Sequence, residues 1–139
     1  MPAGRAQSQL ARGREITLAD RIRLNGMVFY GYHGVLPEER ALGQRFVVDV
    51  EIFTDLRKAG ASDDLSDTIN YSQVYTTARE IVTGPPLNLI EAVAERIAAR
   101  VLAEHSAAER VVVRIQKPEV PIPGSVLASS EVRIERTRS

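Results

Sequence analysis

The stretch Tyr30-Gly31-Tyr32-His33-Gly34-Val35-Leu36-Pro37-Glu38-Glu39-Arg40, followed by Gly43-Gln44-Arg45-Phe46, decides how the rest of the chain folds. It reads as the end of one strand, a break at two glycines, an acidic loop and the start of a second strand. Glycines at this spacing let the backbone turn a tight, partly left-handed corner that residues with a Cβ resist. Such a corner can hold a carboxylate beside a pocket instead of leaving it in solvent.

Outward from this corner the hydrophobic periodicity sets the elements. From Arg21 the pattern alternates with period two, with Ile22, Leu24, Val28, Tyr30 and Tyr32 on one face. Arg21, Arg23, Asn25, Met27 and Phe29 share the other face. Phe46, Val48, Val50 and Ile52 repeat the scheme, with Asp49 and Glu51 opposite. Asp63-Asp64-Leu65-Ser66-Asp67 reads as an acidic loop. A helix is predicted over about 72–82, with Val74, Tyr75, Ala78, Ile81 and Val82 on one stripe, and Thr83-Gly84-Pro85-Pro86 ends it. A second helix over about 89–105 sets Leu89, Ile90, Val93, Ile97 and Val101 at helical spacing. Val111, Val113 and Ile115 then share one face of a third strand. Val126, Ala128, Val132 and Ile134 share one face of a fourth.

The predicted order is β-β-α-α-β-β, an α+β fold whose two helices cover one face of a four-stranded sheet. Arg21, Arg23, Asp49, Glu51, Arg114, Glu131, Arg133 and Glu135 then line the opposite face, where mixed charges can pair across strands. Open sheet edges must be blunted or paired, so assembly through them is expected. Residues 1–18 lack periodicity and are expected to be a flexible extension, leaving 19–139 as one domain.

Composition narrows the function classes. The 139 residues are 44% apolar and 26% charged, as in an ordinary soluble domain, with a formal net charge of zero. A neutral balance argues against nucleic acid as the main partner. No apolar run approaches the ~20 residues of a membrane span. With no cysteine, disulfides, thiolate catalysis and Cys-based zinc sites are excluded, and the cytoplasm is the expected compartment. Lysine occurs only at 58 and 117, so each lysine is easily weighed.

Lys117 continues the inward parity of Val111, Val113 and Ile115. Without a carboxylate beside it, such a lysine is expected to have a lowered pKa; otherwise it snorkels from a strand end. Glu91 stands in the first turn of the second helix. It is either a glutamate favoured there by the helix dipole or an acceptor for two N–H donors of a flat heterocycle. Tyr71, just before the first helix, reads as a core or interface aromatic or as a proton donor. His33 and His105 are too few for a three-histidine metal site within one chain, and His105 reads as serving a helix C-terminus.

Five blocks together resemble the dihydroneopterin aldolase family over roughly residues 20–136. They are Phe29-Tyr30-Gly31-Tyr32-His33-Gly34; Glu39 with Gly43-Gln44-x-Phe46; and Asp67-Thr68-Ile69-Asn70-Tyr71. Asn88-Leu89-Ile90-Glu91-x-x-Ala94-Glu95-Arg96-Ile97 and Lys117-Pro118-x-x-Pro121-Ile122-Pro123-Gly124 complete the set. The resemblance implies a tunnelling fold, with subunits joined by sheet edges into a tetrameric ring and two rings stacked as a homo-octamer. It implies metal- and cofactor-free retro-aldol cleavage of 7,8-dihydroneopterin, with the substrate's own C=N as electron sink. By matched position, Lys117 is the implied acid–base group, with Glu39, rather than Glu38, orienting it and Tyr71 assisting from across a subunit interface. Glu91 is the implied pterin anchor, with groups near Ile69, Asn70 and Ile90 completing the pocket. Epimerisation at the side chain 2′ carbon, oxygenation of the same substrate, and a non-catalytic pterin-binding ring are the alternatives.

Overall fold

The computed structural model describes residues 19–138. The chain runs β1 (Arg21–Gly31), α1 (Pro37–Leu42), β2 (Gln44–Phe53), α2 (Arg57–Ser62), a 3-10 turn at Leu65–Asp67, α3 (Tyr71–Val82), α4 (Ile90–Glu104), β3 (Arg110–Lys117) and β4 (Ser130–Thr137). All strand pairings are antiparallel, in the order β1-β2-β3-β4, so β1 and β4 form the edges. Helix α4 packs against β3 and β4, and α3 against β1. The expected α+β architecture, two long helices over one face of a four-stranded sheet, is therefore present. The 1–18 segment, expected to be a flexible extension, lies outside the described residues.

Alternation explains the core. Phe46, Val48, Val50 and Ile52 of β2 and Val111, Val113 and Ile115 of β3 are buried against Val74, Ala78 and Val82 of α3 and Val93, Ile97 and Val101 of α4. Each large apolar side chain so buried contributes roughly 1.5–3 kcal/mol. On the opposite face charges pair across strands, with Arg21–Glu51 at 3.1 Å, Arg114–Glu131 at 3.0 Å and Arg110–Glu135 at 2.8 Å. These exposed or half-exposed pairs add little individually.

The structure corrects several details of the periodicity. In β1 the pairing register shifts between Leu24 and Met27. Gly26 adopts a left-handed φ of 67° and its N–H donates to Asp49 Oδ1 at 2.5 Å. This bulge reverses the parity of the strand. Met27 and Phe29 turn into the core, and Val28, Tyr30 and Tyr32 turn outward, opposite to the simple alternation.

Val126 and Ala128 are not strand residues, because the proline-interrupted 120–129 segment stays out of the ladder and β4 begins at Ser130 opposite Lys117. On α3, Tyr75 is exposed and Ile81 half-buried, whereas Thr77 is buried with its hydroxyl donating to Glu104 at 2.7 Å. Leu89 is a half-exposed N-cap and not part of the buried stripe. The acidic loop after Gly34 contains α1, because Pro37 is preorganised for a first helical turn that also favours Glu38 and Glu39. The other acidic segment contains the 3-10 turn, where Asp64 caps the Ser66 N–H.

Candidate active site

Residues from distant parts of the chain converge where β3 ends. Val35, Glu39, Asn88, Leu89, Ile90, Glu91, Lys117, Ser130 and Val132 line a cavity of about 200 Å³. Strand β3 delivers Lys117, the N-terminal turn of α4 delivers Ile90 and Glu91, and α1 delivers Glu39.

The corner between β1 and α1 explains why Glu39 points inward. Gly34 has a φ of 152°, and a Cβ there would lie 2.3 Å from Glu39 Oε1 and 2.6 Å from Glu39 Cβ. The glutamate side chain therefore lies across the space that a larger residue at 34 would fill. The Leu36 N–H donates to Glu39 Oε1 at 3.2 Å, which fixes one oxygen at the head of α1. Gln44 Nε2 and Lys117 Nζ donate to Glu39 Oε2 at 2.9 and 2.8 Å. Burial pushes the Glu39 carboxyl upward, but the Lys117, Gln44 and Leu36 hydrogen bonds and the Lys117 charge outweigh it and hold the group below the usual carboxylate range.

The neighbourhood of Lys117 differs from the expectation of a lysine with no carboxylate beside it. Its side chain is 15% exposed and its ammonium meets a carboxylate only 7% exposed. Parity carried the lysine inward as expected, while α1 supplied its counter-ion; the nearby Glu119 pairs with Arg45 at 2.7 Å instead. Removing one partner of such a pair leaves an uncompensated charge, typically costing about 3–5 kcal/mol.

Ile90 is buried and Glu91 is exposed, both in the first turn of α4, where the leading backbone N–H groups lack intrahelical acceptors. Ile69, Asn70 and Tyr71 do not join this cavity within one chain. Ile69 is a core residue, 3% exposed. Asn70 caps α3 by accepting from the Ser72 N–H at 3.0 Å and the Ser72 hydroxyl at 2.7 Å. Tyr71 is 60% exposed at the start of α3.

Two participants had no role from sequence. Gln44 shares the inward parity of Phe46 and Val48, and a polar residue on a buried stripe was the available signal. His33 is fully buried between glycines, where no periodicity points inward. The Leu87 N–H donates to its Nδ1 at 2.9 Å, so Nε2 carries the proton and donates to the Val82 carbonyl at 2.7 Å. Desolvation lowers its pKa below 6.5; the Val82 hydrogen bond opposes this, and the Arg40 and Lys117 charges add to the lowering.

A roomier groove of about 440 Å³ runs between α3 and α4, but its charges are spent on each other. Arg100 pairs there with both Glu80 and Glu104 at 3.0 Å. Among the described residues no group of three or more His, Cys, Asp or Glu side chains is placed to hold a metal ion, and no helix is long and apolar enough to cross a membrane.

Known proteins share this fold. The chain is 48% identical over 119 residues to the dihydroneopterin aldolase of Bacillus subtilis (strain 168), covering 86% of this chain and 97% of that one. Its fold matches that of E. coli dihydroneopterin aldolase in complex with neopterin at a TM-score of 0.77 and 31% identity, over 84% of this chain and 98% of that one. It also matches a Burkholderia thailendensis dihydroneopterin aldolase bound to guanine at a TM-score of 0.71 and 26% identity, over 88% and 96% of the two chains. The family model described as "FolB: Dihydroneopterin aldolase" spans residues 22–135, so the chain belongs to the dihydroneopterin aldolase family.

Proposed function

We propose that the Glu39–Lys117–Glu91 cavity binds 7,8-dihydroneopterin and cleaves its side chain by a retro-aldol reaction. The products are 6-hydroxymethyl-7,8-dihydropterin and glycolaldehyde, the aldolase step of folate biosynthesis. The observation that carries this reading is the Lys117 Nζ–Glu39 Oε2 pair, at 2.8 Å, on the wall of a cavity that the first turn of α4 also lines.

Neopterin and guanine, bound in the two solved relatives, share a flat edge with a 2-amino group, a ring N–H and a carbonyl. The Glu91 carboxylate accepts from the first two, and N–H groups around Ile90 meet the carbonyl. Charge-assisted bonds of this type contribute about 1.5–3 kcal/mol each when water is excluded.

With that edge held, the side chain reaches Lys117. Removal of the 2′ hydroxyl proton lets the C1′–C2′ bond break, releasing C2′ as the aldehyde carbon of glycolaldehyde. The bond's electron pair moves into the ring C6=N5 system, and C1′ is then reprotonated. Lys117 is the acid–base group, and Glu39 orients it. No metal or cofactor takes part. Tyr71 assists protonation, with Asn70 and the Ile69 backbone beside it, from an adjacent subunit. This arrangement requires neighbouring subunits, and the reading joins them through the β1 and β4 edges as a tetrameric ring, two of which stack as an octamer. A cytoplasmic setting fits the cysteine-free sequence.

The test is to incubate the protein with dihydroneopterin and assay glycolaldehyde, side-chain epimer and oxidised pterin separately. Glycolaldehyde is the expected main product, and an epimer or oxidised pterin without it would overturn the reading. Lys117→Ala is expected to lower turnover at least about a hundredfold, the lower end of positioned acid–base catalysis. Unchanged turnover would remove Lys117 from the mechanism.

A further inference from the structure

Glu39 and Glu91 are distant in sequence, and one seam joins the segments that carry them. The Gly34 N–H donates to the Leu87 carbonyl at 2.9 Å, and the Leu87 N–H donates back to His33 at 2.9 Å. Arg40 crosses this seam from α1, next to Glu39. Its Nε donates to the Gly34 carbonyl at 2.8 Å and its Nη2 donates to Asn88 Oδ1. Asn88 lines the cavity and leads directly into Leu89, Ile90 and Glu91.

The acceptors of Arg40 are informative. Both are neutral, and no carboxylate lies within ion-pair distance of it among the described residues. Charge alone therefore does not explain its placement. A planar guanidinium presents N–H groups in a fixed fork and can span two such acceptors, whereas a lysine ammonium is a single point on a shorter stem. Glu39 itself does not depend on Arg40, because Leu36, Gln44 and Lys117 already hold both of its oxygens.

We propose that Arg40 is a positioning residue. It bridges the corner that carries Glu39 to the segment that presents Glu91, and so sets how tightly the cavity grips the aminopyrimidinone edge of a pterin. It acts through Asn88 and does not touch the reacting atoms. This inference rests on the pterin-binding reading above.

The test measures neopterin affinity by fluorescence titration, alongside kcat for dihydroneopterin cleavage. Arg40→Ala and the charge-retaining Arg40→Lys are both expected to weaken neopterin binding, by about three- to tenfold for the alanine, the range of a partly exposed hydrogen bond. Turnover at saturation is expected to change less than about twofold, since the Glu39–Lys117 pair keeps its own supports. Coupling through one bond also predicts non-additivity, with Arg40→Ala plus Asn88→Ala no weaker than Asn88→Ala alone. Unchanged affinity in Arg40→Ala, additive losses in the double variant, or a fall in kcat at unchanged affinity would each overturn the proposal. If Arg40→Ala does not fold, full neopterin affinity in Arg40→Lys overturns it equally. A wild-type protein that binds no neopterin would instead overturn the pterin reading itself.

Discussion

The corner that carries Glu39 and the start of α3 that carries Tyr71 are built in opposite ways. Glu39 is 7% exposed, and partners from its own chain hold both carboxylate oxygens. Tyr71 is 60% exposed and does not line the cavity. The first region is complete within one subunit and carries buried charge. The second is a capped helix end whose aromatic residue faces outward. In the proposed mechanism that contrast separates acid–base machinery preorganised by folding from machinery supplied by assembly.

The sharpest way to break the first region is Gly34→Val. A Cβ at this position would sit 2.3 Å from Glu39 Oε1, and φ of 152° is strained for a β-branched residue. The substitution must eject Glu39 or distort the corner, and loses the Lys117 pair in either case. Cleavage is expected to fall about a hundredfold or more, as for loss of a positioned acid–base partner. Thermal unfolding should shift downward with it. Retained turnover would mean that Glu39 need not occupy this space.

The second region is tested by mixing. Tyr71→Phe and Lys117→Ala are each expected to have little activity as pure preparations. If each site takes Lys117 from one subunit and Tyr71 from its neighbour, random co-refolding in equal amounts restores intact residues at about a quarter of the sites in a closed ring. Glycolaldehyde release by the mixture, compared with either parent, measures this. No recovery would show that Tyr71 serves its own chain or none.

Legibility in the sequence divides along similar lines. Lys117 could be read because strand parity is local, and Val111, Val113 and Ile115 carry it inward. The stripe from Phe46 to Ile52 was legible for the same reason. Glu39 could not be separated from Glu38 by periodicity, because the choice depends on α1 starting at Pro37, and only the family resemblance favoured it. Its place beside Lys117 likewise came only from the resemblance, since the two residues lie 78 positions apart and meet only in the fold. The β1 parity failed at one residue: the left-handed Gly26 bulge inverts every side chain after it. His33 was invisible because its partners, the Val82 carbonyl and the Leu87 N–H, are backbone groups that no side-chain pattern reports.

Asn70 offers a smaller test of whether the α3 start is chiefly a structural cap or also part of a site. Its side chain accepts the Ser72 N–H at 3.0 Å, so Asn70→Ala is expected to cost about 1 kcal/mol in urea unfolding, the usual value of such a cap. Asn70→Asp keeps the acceptor and should retain stability. If Asn70 also faces substrate in the neighbouring site, Asn70→Asp will weaken neopterin binding despite normal stability. Equal affinity would reduce its role to capping.

The smallest expected effect concerns the seam under the corner, and it is read through pH. His33 is neutral in the fold, with Nδ1 accepting from Leu87 and Nε2 donating to Val82. Burial first, with Arg40 and Lys117 acting the same way, places its folded pKa below 6.5. Between that lower value and 6.5 the unfolded chain binds more protons than the folded one, so stability rises with pH. The His33 contribution is complete above pH 6.5 and is lost as pH falls through the folded pKa. Glu39 has the same sign, but its window lies below the ordinary carboxylate range. Urea unfolding of wild type and His33→Gln at pH 7.5 and 5.5 therefore isolates the histidine. Wild type should lose more stability between the two values than the variant does. Equal losses would mean that protonating His33 does not strain the seam.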